Sequence, residues 1–289
     1  MERRDFIKSS LLTAAVLTLK PLALDGRTTL IKKFATDRVM LGNTGIMVSR
    51  LAMGTGTSGY NNASNQTRKL GIKGVGDLLQ EAYEKGVIFW DTADQYGSHP
   101  HIKEGLSRVL REKVVILTKT HASTAKEMQA DLDRFRKELG TEYIDVILLH
   151  CMTDKDWPDK KKGAMEYLMK ARQDGIIKAH GVSCHSFAAL KTAEASDWVQ
   201  VDLARINPAG VIMDSDVKSV TTVLKNMKKS GKGVMGMKIL GAGQLVNRKD
   251  ECLKYALSQE YLDCFTIGIE NHDQLADLIK RIPEASMMT

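Results

Sequence analysis

A carboxylate, a phenol, an ammonium and an imidazole stand at or just past the ends of three apolar runs in this sequence. Val87-Ile88-Phe89-Trp90 leads into Asp91-Thr92-Ala93-Asp94-Gln95-Tyr96-Gly97; residues 114–118 lead into Lys119; residues 144–149 lead into His150. A phenol titrates near 10 in water, so it keeps its proton at neutral pH and gives it up reluctantly. A nearby ammonium favours the phenolate and is expected to lower that value. A carboxylate beside the ammonium keeps it charged and in place, and an imidazole can hydrogen-bond an oxygen that is being protonated. Asp91, Tyr96, Lys119 and His150 are therefore candidates for a proton-transfer site. Each has an ordinary structural reading: a strand-end Asp–Lys pair is often an ion pair, and a lone histidine is often only packed. Four such groups in register at neighbouring strand ends are much harder to dismiss.

Polar groups delivered by the ends of successive strands are the device of an eight-fold β/α barrel. Strand-like segments at 50–53, 89–91, 114–119, 144–150, 177–183, 199–206, 233–237 and 265–269 alternate with helix-like segments at 75–85, 102–110, 125–139, 165–173, 187–195, 216–229, 250–257 and 272–281. Strict alternation over 289 residues predicts the α/β class and a single (β/α)8 TIM barrel. Residues 38–48, turning at Gly42-Asn43-Thr44-Gly45, read as a hairpin ahead of the first barrel strand. The expected organisation is a signal segment over 1–26, a linker over 27–37 and the barrel over 38–289.

Composition adds limits. Apolar content of 43% and charged content of 27% are ordinary for a globular chain. The net charge of +7 has no dense footprint; the run Asp159-Lys160-Lys161-Lys162 reads as a solvated loop, and no nucleic-acid partner is expected. Cys151, Cys184, Cys252 and Cys264 show no C-x-x-C spacing and read as free thiols. Cys151 and Cys184 fall just past the ends of adjacent strands, where a disulfide forms only if their Cα atoms come within about 7 Å.

The chain opens Glu2-Arg3-Arg4-Asp5-Phe6-Ile7-Lys8, followed by the apolar stretch 11–19 and Lys20-Pro21. A basic start, a short apolar core and a break make a secretory signal. The arginine pair followed by Phe6-Ile7-Lys8 resembles the twin-arginine (Tat) export motif, which is read by a receptor and carries folded proteins. That implies the Tat machinery as a partner and a periplasmic or otherwise exported location. No clean Ala-x-Ala cleavage triplet precedes Asp25, so an uncleaved segment would anchor the chain at the membrane.

Gly54-Thr55-Gly56-Thr57-Ser58-Gly59 matches G-x-G-x-x-G on paper. The dinucleotide fingerprint needs a helix opening at the last glycine, and polar Tyr60-Asn61-Asn62-Ala63-Ser64 follows instead. A mobile glycine-rich loop at the barrel mouth is the better reading.

Asp91-Thr92-Ala93 with Tyr96-Gly97, then Lys119 and His150 at the next two strand ends, resembles the aldo-keto reductase superfamily. Gly181-Val182-Ser183, the loop Gly236-Met237-Lys238-Ile239-Leu240-Gly241-Ala242-Gly243 and the run Thr266-Ile267-Gly268-Ile269 agree with it. The resemblance extends over about residues 38–281. It implies NADP(H) or NAD(H) as cofactor and a small aldehyde, ketone or sugar-like carbonyl as substrate. It also implies a catalytic set of Asp91, Tyr96, Lys119 and His150, with Tyr96 as general acid in reduction and base in oxidation. Cofactor contacts carry over onto Ser183, Cys184, Lys238, Leu240, Gly241, Gly243, Glu270, Asn271 and Gln274.

The chain departs from the family where Cys184-His185 follows Ser183 in place of an asparagine. It departs again where Leu203 or Ala204 replaces a glutamine, with polar Arg205 and Asn207 nearby. Glu270 stands where a basic residue would meet a 2′-phosphate. Two other classes stay open at this point. One is a cofactor-holding sensor or partner subunit with little turnover. The other is a metal-dependent hydrolase built on His121, His150, Cys151, Cys184 and His185, although none of these has a recognised ligand spacing.

Overall fold

The computed structural model describes residues 31–288. Among them, eight parallel strands close a barrel in the order β10-β3-β4-β5-β6-β7-β8-β9. They are β3 (Leu51–Gly54), β4 (Phe89–Asp91), β5 (Val115–Thr120), β6 (Ile144–Met152), β7 (Ile177–Cys184), β8 (Val201–Arg205), β9 (Gly233–Met237) and β10 (Cys264–Gly268). The antiparallel hairpin of β1 (Arg38–Met40) and β2 (Met47–Ser49) precedes them. The helices are α1 (Asn65–Glu84), α2 (His99–Leu106), α3 (Ala125–Leu139), α4 (Trp157–Lys160), α5 (Lys162–Gln173), α6 (Phe187–Ala195), α7 (Val217–Lys229), α8 (Lys249–Ser258) and α9 (His272–Ala285). The TIM barrel and its hairpin plug are as the sequence predicts.

Strand residues alternate between two faces, and each face has its own apolar core. Phe89, Leu117, Leu148, Ala179, Leu203 and Met235 fill the barrel interior, closed below by Leu41, Ile46 and Val48 from the hairpin segment. Trp90, Ile116, Leu149, Val182, Ala204 and Val234 point outward against the helices. The interior series fixes the site. Two residues beyond Phe89 comes Asp91; beyond Leu117, Lys119; beyond Leu148, His150; beyond Leu203, Arg205. The barrel's apolar filling ends, and the same inward face continues in polar side chains at the C-terminal mouth.

Helix α1 begins ten residues earlier than the apolar period indicates. Ser64 caps it in a capping box with Thr67, and Gly71, at φ 62°, breaks it into two stretches. The buried apolar period starts only after the break, at Val75. Residues 33–37, expected as the end of a linker, are fastened to the barrel instead. The Lys33 amide donates to Ser286 Oγ at 3.0 Å, Ala35 is buried and Asp37 pairs with Arg50 at 3.1 Å. The expected signal segment, 1–26, lies outside the described residues. No helix among the described residues is long and apolar enough to cross a membrane.

Candidate active site

Asp91 closes β4 and accepts from two sides. Lys119 Nζ, at the mouth end of β5, donates to Oδ1, and Thr266 Oγ1 from β10 donates to Oδ2 at 2.9 Å. Lys119 gives a second proton to the Thr92 carbonyl at 2.7 Å. An ammonium has three donors, so one remains, and Nζ lies 5.1 Å from the centroid of the Tyr96 ring. Burial alone would depress Lys119, but Asp91 and Tyr96 outweigh it and raise its pKa, so the amine stays charged.

Tyr96 ends a 3-10 turn just after β4, and Gly97 in the left-handed region stops that turn. The sequence led us to expect a lowered phenol pKa. Burial instead pushes it up; Lys119 works against burial and Asp91 with it. His150 meets the Tyr96 ring edge-on with centroids 5.9 Å apart and stacks on His121 at 4.9 Å. Burial, then Lys119, drives the His150 pKa down to about 2, so the ring is neutral and carries one N–H. Its Nδ1 is enclosed without a partner among the described residues, which leaves Nε2 as the nitrogen reaching open space.

The glycine-rich loop packs on the phenol. A Cβ on Gly59 would stand 2.3 Å from Tyr96 Cδ1. The loop is held by Thr57 N to Gln66 Oε1 at 3.1 Å and Asn65 N to Thr57 O at 2.8 Å, so these bonds replace the free loop expected from sequence. The next helix opens at Asn65 rather than Gly59, so the dinucleotide fingerprint fails in context.

A cavity of about 550 Å³ runs from Asp91, Tyr96 and Lys119 past Met237, Lys238 and Leu240 to Gly243, Glu270 and Gln274. That is within the size range of small-molecule and cofactor clefts. Lys238 fits an anionic cofactor: no carboxylate bonds it among the described residues. Burial, then Lys119 and Arg205, press its pKa down. Lys238 and Ala242 sit at φ 57° and 53°, left-handed conformations that hold the loop in a tight curl against the cavity.

The remaining predicted contacts divide. Lys238, Leu240, Gly243, Glu270 and Gln274 line the cavity, while Gly241 is buried against Leu245. Ser183 is on the inward face of β7, and its Oγ accepts from Cys151 N at 2.9 Å. Cys184 is a correction. The strand's alternation turns its side chain outward into the helix-facing core, fully buried, beside Asp202. Asn271 accepts from Gln274 N at 2.9 Å as the cap of α9, and Gln274 Oε1 accepts from Glu270 N at 2.8 Å. Glu270 is held by Lys69 Nζ at 2.5 Å and Asn65 Nδ2 at 3.0 Å, both on α1.

The candidate zinc ligands do not converge. His121 bonds Gln95, Cys151 Sγ lies 3.1 Å from His185 Nδ1, and Cys184 faces away. All four cysteines are free, so Cys151 and Cys184 form no disulfide. Sequence reasoning missed Thr266 and the glycine bed under Tyr96. Arg205 was visible as a polar strand end, and its inward parity with Leu203 was the signal that places it at the mouth.

The aldo/keto reductase family pattern matches residues 50–256. The chain belongs to that family. It is thus an NAD(P)H-dependent oxidoreductase. An aldo-keto reductase of Alternaria alternata is 25% identical over 255 residues, covering 73% of this chain and 67% of that one. Versiconal hemiacetal acetate reductase of Aspergillus parasiticus is 30% identical over 184 residues, 52% of this chain and half of its own. A solved aldo-keto reductase from Bacillus halodurans, in its holo form, superposes with a TM-score of 0.70 at 16% identity, covering 88% of this chain and 92% of that one. At that identity the superposition speaks for the fold.

Proposed function

We propose that this chain reduces the carbonyl of a small aldehyde, ketone or sugar-like compound, or runs the reverse alcohol oxidation, with Tyr96 as the proton donor or acceptor. The observation that carries the reading is Lys119, buried between Asp91 and the Thr92 carbonyl with one proton left beside the phenol. Asp91, fixed by Thr266, keeps the lysine charged. The charged lysine offsets part of the burial that makes Tyr96 a weak acid. Neutral His150, edge-on to the phenol ring, donates to the substrate oxygen. In reduction the phenol proton passes to the carbonyl oxygen as negative charge develops there.

NADP(H) or NAD(H) supplies or accepts the hydride when bound. Lys238 and the curled loop of Leu240 and Gly243 would hold its pyrophosphate, and Ser183 its amide. Glu270 and Gln274 would lie at its adenosine end. Turnover of a carbonyl panel by wild type, lost in Tyr96→Phe with cofactor binding intact, tests the assignment; near-normal turnover in that variant would sink it.

The export reading rests on Arg3-Arg4-Asp5-Phe6-Ile7-Lys8 and the apolar stretch behind it. On it, this is a bacterial enzyme delivered folded by the Tat machinery to the periplasm, carrying its cofactor along and anchored at the membrane while the signal stays uncleaved. Fractionating the native cells and identifying what is bound to the purified protein checks it; recovery in the cytoplasm alone would refute it.

A further inference from the structure

Arg205 ends β8 on the face that turns into the barrel, in register with Met237 of β9. Its Nε donates to Asp214 Oδ1 at 2.9 Å, and Nη2 donates to the same oxygen. A guanidinium has five N–H donors in a planar fork. Nη1 has no partner among the described residues and is not enclosed. Beside it, the Cys151 thiol, kept protonated by burial, lies 3.1 Å from His185 Nδ1. With Nδ1 accepting from that thiol, the neutral ring carries its own proton on Nε2, which is likewise uncommitted among the described residues. Two donors thus stand at the mouth outside the wall of the cofactor-sized cavity, which includes Lys238 but neither Arg205 nor His185.

Asp214 holds the fork through a single carboxylate oxygen, Oδ1, which leaves Nη1 available to a second acid. The loop that carries Asp214 is itself pinned: Asn207 Nδ2 donates to Val211 O at 2.8 Å and to Lys238 O at 3.3 Å, and its Oδ1 accepts from Val211 N at 3.0 Å. A purely structural pair fits less well. Asp214 Oδ2 is buried without a partner among the described residues, and half-satisfied buried ion pairs add little stability.

We propose that Arg205, assisted by His185, anchors a carboxylate of the substrate, so that the site takes oxo acids in preference to neutral carbonyl compounds. The proposal rests on the reductase reading of the same site.

The test uses 4-oxobutanoate and its methyl ester, which share a reacting aldehyde and differ in one charge, with saturating NADPH and, separately, NADH. Arg205→Gln alone would leave Asp214 buried and unpaired, so the variant is Arg205→Gln with Asp214→Asn. A charged hydrogen bond to a carboxylate corresponds to about 10- to 100-fold in binding. The acid should lose that factor in kcat/KM, through KM, while the ester changes less than about twofold and the cofactor Kd holds.

Equal use of acid and ester by wild type, or an equal loss on both in the variant, overturns the proposal. So does a rise in cofactor Kd by the same factor, which would make Arg205 a cofactor residue. Succinate binding to the NADPH-loaded protein, by calorimetry, decides the matter independently of turnover. Binding by wild type and loss in the double variant support it; no binding by wild type overturns it. Tyr96→Phe separates the two readings: it should abolish turnover on both aldehydes and leave succinate binding unchanged.

Discussion

Gly56 lies so close against the ring of Tyr96 that a Cβ on it would stand 2.2 Å from Cε2. No real Cβ contact is that short, so any side chain here must push the phenol aside. The glycine is needed for the space it leaves rather than for an unusual φ. Displacing a reacting group by about 1 Å can cost about 10²-fold in rate. Gly56→Ala should therefore lower kcat by about that factor, with little change in cofactor Kd or melting temperature. Wild-type kcat in this variant would show that the ring has room to yield.

The proton-transfer set predicts a pH profile with one limb. His150 is held near pKa 2 by burial and Lys119, so it stays neutral across the working range and adds no step between pH 5 and 8. Tyr96 is raised above its ordinary value, so reduction should stay level until the phenol ionises on the alkaline side. Lys119→Met removes the charge that opposes burial. The alkaline limb should then move higher still, and the rate should fall by about 10²- to 10⁴-fold, the range for losing general acid assistance. Circular dichroism must accompany that variant, because Asp91 is left buried without its partner. A rate that titrates near pH 6.5 in wild type would show that His150, not Tyr96, transfers the proton.

What the sequence made legible followed from periodicity. The barrel, its plug and the four strand-end groups could be read because apolar runs alternate with amphipathic ones, and the polar residue ending each run is conspicuous. Alternation also separates neighbours: with Ser183 inward, Cys184 must face outward, so the family resemblance, which implies cofactor contacts at both, fails at Cys184. The first half of α1 was hidden because its exposed turns carry no apolar period before Gly71 breaks it. Glu270 read as a bare carboxylate because its partner Lys69 is 201 residues away in sequence. The net rise in the Tyr96 pKa depends on how deeply the barrel buries the phenol, which strand-end spacing does not reveal.

Asp202 predicts a pH-dependent stability on the outer face of β8. It is fully buried, and among the described residues no strong donor meets either carboxylate oxygen; the weakly donating Cys184 thiol lies beside it. Burial, with Asp214 adding, pushes its pKa up to about 7 against the opposing pull of Cys184 and Lys232. The unfolded chain loses this proton near pH 3.9, about the ordinary aspartate value. Between there and pH 7 the folded protein binds more protons, so this group's contribution to stability falls as pH rises through that window and is constant above it. Asp202→Asn carries no charge to bury. Its urea midpoint should exceed that of wild type at pH 8, with a smaller difference at pH 5. A difference that does not change between the two pH values would show that Asp202 is not titrating inside the fold.

Cofactor choice turns on Glu270, whose carboxylate lines the far end of the cavity while Lys69 and Asn65 hold it from α1. A carboxylate at the adenosine end accepts from a ribose 2′-hydroxyl and repels a 2′-phosphate. Lys69 half-neutralises it, and that ion pair, 61% exposed on the lysine side, is weak and salt-screened. Wild type should therefore show a weak preference between NADP(H) and NAD(H) rather than a strong selection of the phosphorylated form. Glu270→Gln keeps the shape, removes the repulsion and frees the Lys69 ammonium. NADP(H) affinity should rise by about tenfold, the size of one charge-assisted hydrogen bond, with NAD(H) nearly unchanged. Glu270→Lys should raise it further only at low ionic strength, because the new ammonium faces Lys69. In Glu270→Gln with Lys69→Ala the gain should shrink to the part owed to the lost repulsion, since the freed cation is gone. Titrating both cofactors against these variants at two salt concentrations measures each step. Strong NADP(H) selectivity in wild type, or a Glu270→Gln protein that binds both cofactors as wild type does, would show that this carboxylate does not face the ribose.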